Sequence, residues 1–147
     1  MLQNGRYTIL SGSEGNRPIG LEKDLTNGRS TLVVLPEGSK APVWVIENAG
    51  GQSIFIIKTP DGDAVGEEDG HVWAGSESTP WLLQEAFHHG NNIYIISSHN
   101  ERVKGWVASI EEEESTQLLF RPLLVGRSMP PFYFPNERFI IQPAESD

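Results

Sequence analysis

Cysteine is missing altogether from the 147 residues. That removes disulfide frameworks, thiol nucleophiles and cysteine-ligated metal clusters together. Long apolar runs are missing too, and no stretch approaches the ~20 residues that a membrane helix needs. The start, Met1-Leu2-Gln3-Asn4-Gly5, lacks the basic and apolar regions of a secretory leader. No membrane partner is therefore expected. A cytoplasmic location is, with export by a non-classical route left open. Positive charge is scarce: 11 Lys and Arg face 20 Asp and Glu, a formal net charge of −9. Such a field repels phosphate backbones, so no nucleic-acid partner is expected, and it mildly favours encounter with a cationic protein.

Catalytic signatures are lacking as well. There is no Gly-x-Ser-x-Gly elbow, no phosphate-cradling glycine loop and no His-Glu-x-x-His. Of the four histidines, His88 and His89 would point to opposite faces of a strand, which prevents them from sharing a metal. Asp61-Gly62-Asp63 has no third ligand at calcium-loop spacing and reads as a tight turn. The run Glu111 to Glu114 reads as a solvated loop, because adjacent carboxylates repel and stay in water. The expectation is a protein that is not an enzyme and uses no cofactor and no metal.

What is present is strand. Arg6 to Leu10, Thr31 to Leu35, Val43 to Ile46, Ile54 to Ile57, Ile93 to Ile96 and Arg138 to Ile141 are short β-branched or aromatic runs. Gly, Pro, Asn or Ser bounds them, as strands require. Ten Pro and 15 Gly are spread along the chain as turn punctuation. Only Trp81 to His89 has the length for a short helix, and a strand is the favoured reading there.

A faint threefold recurrence organises these strands. One element is an aromatic within an aliphatic strand: Tyr7, Phe55 and Tyr94. The other is an aromatic two residues before an aliphatic: Trp44 with Ile46, Trp81 with Leu83, Phe139 with Ile141. The two alternate strictly along the chain. From the second element to the next first one the distance is 11 and then 13 residues; from first to second it is 37, 26 and 45. Short constant links joined to variable long ones indicate hairpins carrying loops of different length. No single four-stranded unit can bury its own apolar face, but three can close a short barrel around one core. The expected fold is all-β, a β-trefoil of three pseudo-symmetric four-stranded repeats, as a single domain over residues 1–147. The aromatics Trp44, Trp81 and Phe139 are expected at equivalent places in its core.

The stretch Leu124-Val125-Gly126-Arg127-Ser128-Met129-Pro130-Pro131 carries the most chemistry. One basic residue stands between two small ones, and the prolines bias Met129 and Pro130 toward extended geometry. Proteases read substrates as extended strands, and trypsin-like enzymes hold a carboxylate at the base of their main pocket. Arg127 would supply the matching guanidinium. Ser128 is small enough to follow it across the reactive bond, with Gly126 and Met129 as flanking contacts. The same residues also read as an ordinary exposed loop with a solvated arginine. A second candidate loop runs from Asp24 to Ser30, where Asn27-Gly28 is a strong turn dipeptide.

The opening Gly5-Arg6-Tyr7-Thr8-Ile9, the segment Pro42-Val43-Trp44-Val45-Ile46-Glu47-Asn48 and the ending Glu137-Arg138-Phe139-Ile140-Ile141 resemble the mushroom serine protease inhibitors of β-trefoil fold, the mycospins. Size, acidity and the lack of cysteine agree with that resemblance. It implies inhibition of a trypsin-like serine protease through a substrate-like surface loop; a monomer is the expected state. It also implies two alternative loops, one with Asn27 before the attacked bond and one with Arg127 there. Two other functions stay open for such a fold. A carbohydrate-binding lectin is one, although the Gln-x-Trp of ricin-type repeats is replaced by Pro42-Val43-Trp44 and Thr79-Pro80-Trp81. A cysteine protease inhibitor is the other, with Gly50-Gly51 as the segment for a papain-like cleft.

Overall fold

Short β-branched and aromatic runs bounded by turn residues fold as short antiparallel strands. The computed structural model describes residues 2–13, 15–23, 29–75, 78–101, 103–108 and 116–144. The strands are β1 (Gly5–Ser11), β2 (Ile19–Lys23), β3 (Ser30–Val34), β4 (Trp44–Asn48) and β5 (Ile54–Lys58). There follow β6 (Val65–Glu68), β7 (His71–Ala74), β8 (Trp81–Glu85), β9 (Ile93–Ser98) and β10 (Lys104–Val107). The last are β11 (Thr116–Gln117), β12 (Leu119–Pro122), β13 (Val125–Gly126), β14 (Phe132–Tyr133) and β15 (Phe139–Pro143). Two 3₁₀ turns, Phe87–His89 and Pro135–Glu137, are the helical pieces among the described residues.

Six strands close on themselves. β1 pairs with β4, β4 with β5, β5 with β8, β8 with β9, β9 with β15 and β15 with β1, all antiparallel. Closure removes the unpaired strand edges that an open sheet would expose. The hairpins β2–β3 and β6–β7 and the strands β11 and β12 join in a row, β11–β3–β7–β12, which β10 connects to the barrel strand β9.

The alternating aromatics of the sequence come opposite one another on neighbouring strands of this barrel. Tyr7 faces Trp44, Phe55 faces Trp81, and Tyr94 faces Phe139 in the strand registers. Trp44, Trp81 and Phe139 are buried, as expected for inward positions on strands of period two. The Trp44 indole N–H donates to the Ile19 carbonyl at 3.2 Å, and that of Trp81 donates to Val65 at 3.1 Å. Phe139 has no such donor. Here β10 supplies the bulk instead: Trp106 stands edge-on to Phe139 at 5.8 Å and to Trp81 at 5.5 Å. Its indole nitrogen is buried without a hydrogen-bond partner among the described residues. Each fully buried aliphatic or aromatic side chain in this core contributes about 1.5–3 kcal/mol.

Two local readings change. Trp81 to His89 is a strand only as far as Glu85, then Phe87–His89 forms a 3₁₀ turn. His88 and His89 therefore lie with ring centroids 4.2 Å apart instead of on opposite faces of a strand. Asp61-Gly62-Asp63 does form a tight turn: Gly62 N–H donates to Thr59 O and Thr59 N–H to Asp63 O, both at 2.9 Å. The Gly62 φ of 97° is one that favours glycine. The segment Glu111 to Glu114 lies outside the described residues.

Candidate functional site

After β12 the chain leaves the barrel sheet and folds a small ribbon of its own. β13 and β14 form a separate two-stranded sheet, with Val125 opposite Tyr133 and Gly126 opposite Phe132. Gly126 suits that close pairing, because an added Cβ would lie a tight 3.1 Å from the Phe132 Cβ and push it by a few tenths of an ångström. The five residues Arg127 to Pro131 make the tip.

The tip bends where the prolines had pointed to an extended run. Residues 127–130 are all in bend geometry. The physical reason is the short ladder beneath them, which obliges five residues to reverse the chain. Ser128 N–H closes back on Gly126 O at 3.0 Å, a three-residue turn with Arg127 at its centre. The Ser128 hydroxyl donates to Pro130 O at 2.8 Å. Arg127, Ser128 and Met129 are exposed, Met129 to 95%. Leu124, Val125, Phe132 and Phe134 are also exposed large apolar residues on the same ribbon.

A second layer holds the stem. Glu137 is only 2% exposed, yet it is an acid. Its carboxylate accepts the Leu124 N–H on one side of the ribbon and the Phe134 N–H on the other, the latter at 3.1 Å. A buried carboxylate is tolerable when it receives such charge-assisted bonds. The Pro135–Glu137 turn is tied to the barrel in turn, Ala108 N–H donating to Asn136 O at 2.8 Å. Arg138 Nε donates to Tyr133 O at 2.8 Å, and its guanidinium lies 5.0 Å from the Phe132 ring centre. From the Phe87–His89 turn, His88 Nε2 bonds to Pro131 O and His89 Nε2 accepts the Tyr133 N–H at 3.1 Å. Burial, then the Arg138 charge, then His88 keep the His89 pKa below the usual histidine range. Burial also lowers that of Arg138.

The hairpin thus presents an exposed arginine at its tip, on a stem held by part-buried hydrogen bonds. The model of the peptidase inhibitor I66 family matches residues 1–143. The chain belongs to that family. A serine protease inhibitor from Lentinula edodes is 30% identical over 145 residues, covering 95% of this chain and 96% of that protein. A proteinase inhibitor from Coprinopsis cinerea has a similar solved structure: TM-score 0.82 at 25% identity, covering 98% of this chain and 100% of the other. A salivary protein of the Cysteine and Tryptophan-Rich family from Culex shares the fold alone, with TM-score 0.67 at 11% identity over 98% of this chain and 96% of that one. The family and the two mushroom relatives are protease inhibitors, not enzymes. This I66 chain is accordingly a protease inhibitor whose partner is a protease.

The second loop offered by the sequence, with Asn27 and Gly28, lies outside the described residues. Among its neighbours, Arg29 pairs with Glu68 and stacks on Trp73, its guanidinium 4.2 Å from the ring centre. Gly50-Gly51 sits in the exposed β4–β5 turn, where Asn48 shapes the backbone: Gly50 N–H donates to its Oδ1 at 2.9 Å, and its Nδ2 donates to Gly51 O at 3.0 Å.

Glu137, Arg138, His88 and His89 were not recognised from sequence as parts of the ribbon's support. For Glu137 a signal existed. Phe134-Pro135-Asn136-Glu137 has proline at the first turn position and an acid at the third, the arrangement that returns a carboxylate to the backbone N–H three residues earlier. Removing that carboxylate leaves two amide donors without it. Glu137→Ala should lower unfolding stability by about 2 kcal/mol, measured by urea titration. Glu137→Gln should recover only part of this, because its amide presents a donor toward one N–H.

Proposed function

We propose that this inhibitor blocks trypsin-like serine proteases by offering the Arg127–Ser128 bond as a substrate, from a β-trefoil of three four-stranded repeats. The trefoil reading is supported by the three cross-strand aromatic pairs, one per repeat, and by the matching indole bonds of Trp44 and Trp81. The observation that carries the functional reading is the exposed Arg127 at the tip of a ribbon whose stem is bonded on both sides.

The mechanism needs no chemistry from the inhibitor. The guanidinium enters the acidic pocket of the enzyme, whose serine then attacks the Arg127 carbonyl. The leaving amine of Ser128 cannot diffuse away, because the ribbon and its own hydroxyl bond to Pro130 hold that side of the cut. Rejoining then competes with hydrolysis. Docking exchanges the internal Ser128–Gly126 bond for bonds to the enzyme backbone. The clamped stem limits the entropy lost on binding. Gly126 and Met129 flank the bond as secondary contacts. Asn27 and Gly28 form the rival reactive loop.

An inhibition panel tests the reading: trypsin, chymotrypsin, papain and an asparaginyl endopeptidase, with a glycan array beside it. Trypsin should be inhibited at micromolar inhibitor or below, with papain and the glycans untouched. Full trypsin activity at that concentration refutes the proposal. Papain inhibition or glycan capture in its place would support the cysteine protease or lectin alternative.

A further inference from the structure

Adjacent histidines hold one strand of the ribbon by opposite chemistry. Pro131 has no N–H and offers only its carbonyl, so His88 must donate to it from a protonated Nε2. Tyr133 offers its N–H, so His89 must receive it on a bare Nε2 lone pair. The two rings therefore carry different tautomers and respond differently to acid. An imidazolium donates from both nitrogens. His88 can gain a proton and keep its bond; His89 cannot.

We propose that the Phe87–His89 turn latches the reactive ribbon, with neutral His89 as a positioning residue for inhibition that releases Tyr133 when it is protonated. This rests on the Arg127 ribbon being the reactive one. The latch takes the place of a missing neighbour strand. β14 pairs with β13 on one edge, and on its outer edge the Tyr133 N–H goes to His89 while its C=O goes to Arg138. The rings pack as well as bond: His89 lies edge-on to Phe132 at 5.2 Å and to Tyr133 at 6.3 Å.

The charged and titratable groups around His89 are His88 on its own turn, Arg138 before β15, Glu137 on the Pro135–Glu137 turn and the Tyr133 phenol on β14. Two of them, Arg138 and His88, disfavour a positive charge on His89. Glu137 is engaged by the Leu124 and Phe134 amides. The sign follows. The free imidazole titrates near 6.5 and the latched one lower. The latch is at full strength above 6.5 and weakens as pH falls from there through the lowered value. The inhibitor should let go of its target in mild acid.

The test measures binding to trypsin whose catalytic serine is replaced by alanine, from about pH 8 to pH 5.5. Wild type is compared with His89→Gln, His89→Ala and Arg127→Ala. Glutamine places an acceptor oxygen near the position of Nε2 but does not titrate. His89→Ala should bind about tenfold more weakly at pH 8, the size of one lost hydrogen bond. His89→Gln should bind nearly as wild type at pH 8 and show the flatter profile in acid. Trypsin's own titration cancels in the ratio of the two. Coincident profiles for wild type and His89→Gln, or full affinity in His89→Ala, overturn the latch. If Arg127→Ala still binds fully, the ribbon is not the reactive element and the earlier reading is what failed. Tyr133 amide hydrogen exchange in the free inhibitor then judges the contact itself. Protection that falls below pH 6.5 in wild type but not in His89→Gln supports it, and equal behaviour overturns it.

Discussion

Arg127→Ala is expected to weaken trypsin inhibition by about thirtyfold or more and to leave the thermal midpoint unchanged. A guanidinium seated in an acidic, desolvated pocket is the kind of anchor whose truncation dominates an interface. In the free inhibitor the same side chain is exposed at a bend, where substitutions affect stability little. Arg127→Lys should retain inhibition, since the pocket still meets a cation. Arg127→Leu should move preference toward chymotrypsin-like enzymes. Inhibition constants against both enzymes, with a melting curve for each variant, make the check. The opposite result is equally specific. If Asn27→Ala destroys inhibition while Arg127→Ala does not, the reactive bond lies in the 24–30 loop.

Trp81→Ala should be the most damaging single change to the fold, at about 3–5 kcal/mol. The indole is fully buried, stands edge-on to Trp106 at 5.5 Å and to Phe120 at 6.0 Å, and donates to Val65 O. Truncation opens a cavity, removes two aromatic contacts and strands a carbonyl. Against a typical total of about 5–15 kcal/mol, that loss threatens the native state at physiological temperature. The melting point should fall by about 10 °C or more. Trp81→Phe separates the parts. It keeps most of the bulk and loses the donor, and the chain itself uses phenylalanine at Phe139. That variant should lose about 1–2 kcal/mol. A loss under about 1 kcal/mol for Trp81→Ala would contradict the packing described above.

The barrel was legible because its aromatics are spaced by strand and hairpin lengths. Tyr7 and Trp44, Phe55 and Trp81, Tyr94 and Phe139 alternate in sequence and then pair in space. Trp106 escaped that pattern. It packs on Trp81 and Phe139 from β10, and bulk supplied from a different strand leaves no periodic mark. The exposed Arg127 was legible as chemistry. Its support was not, because Glu137, Arg138, His88 and His89 reach the ribbon through side chains whose partners are between 3 and 44 residues away. Reading His88 and His89 as strand residues failed for a local reason. β8 stops at Glu85, and the next turn swings both rings to the ribbon.

The β13–β14 ladder shares no strand with the barrel sheet. Its residues can therefore be exchanged without altering any register in the barrel, provided Glu137 still finds the backbone amides of Leu124 and Phe134, which every residue except proline supplies. On the proposed mechanism the segment is a replaceable cartridge: retargeting the molecule would be a matter of rewriting five residues at its tip, while the aromatic pairs inside keep the shape on which any new tip is mounted.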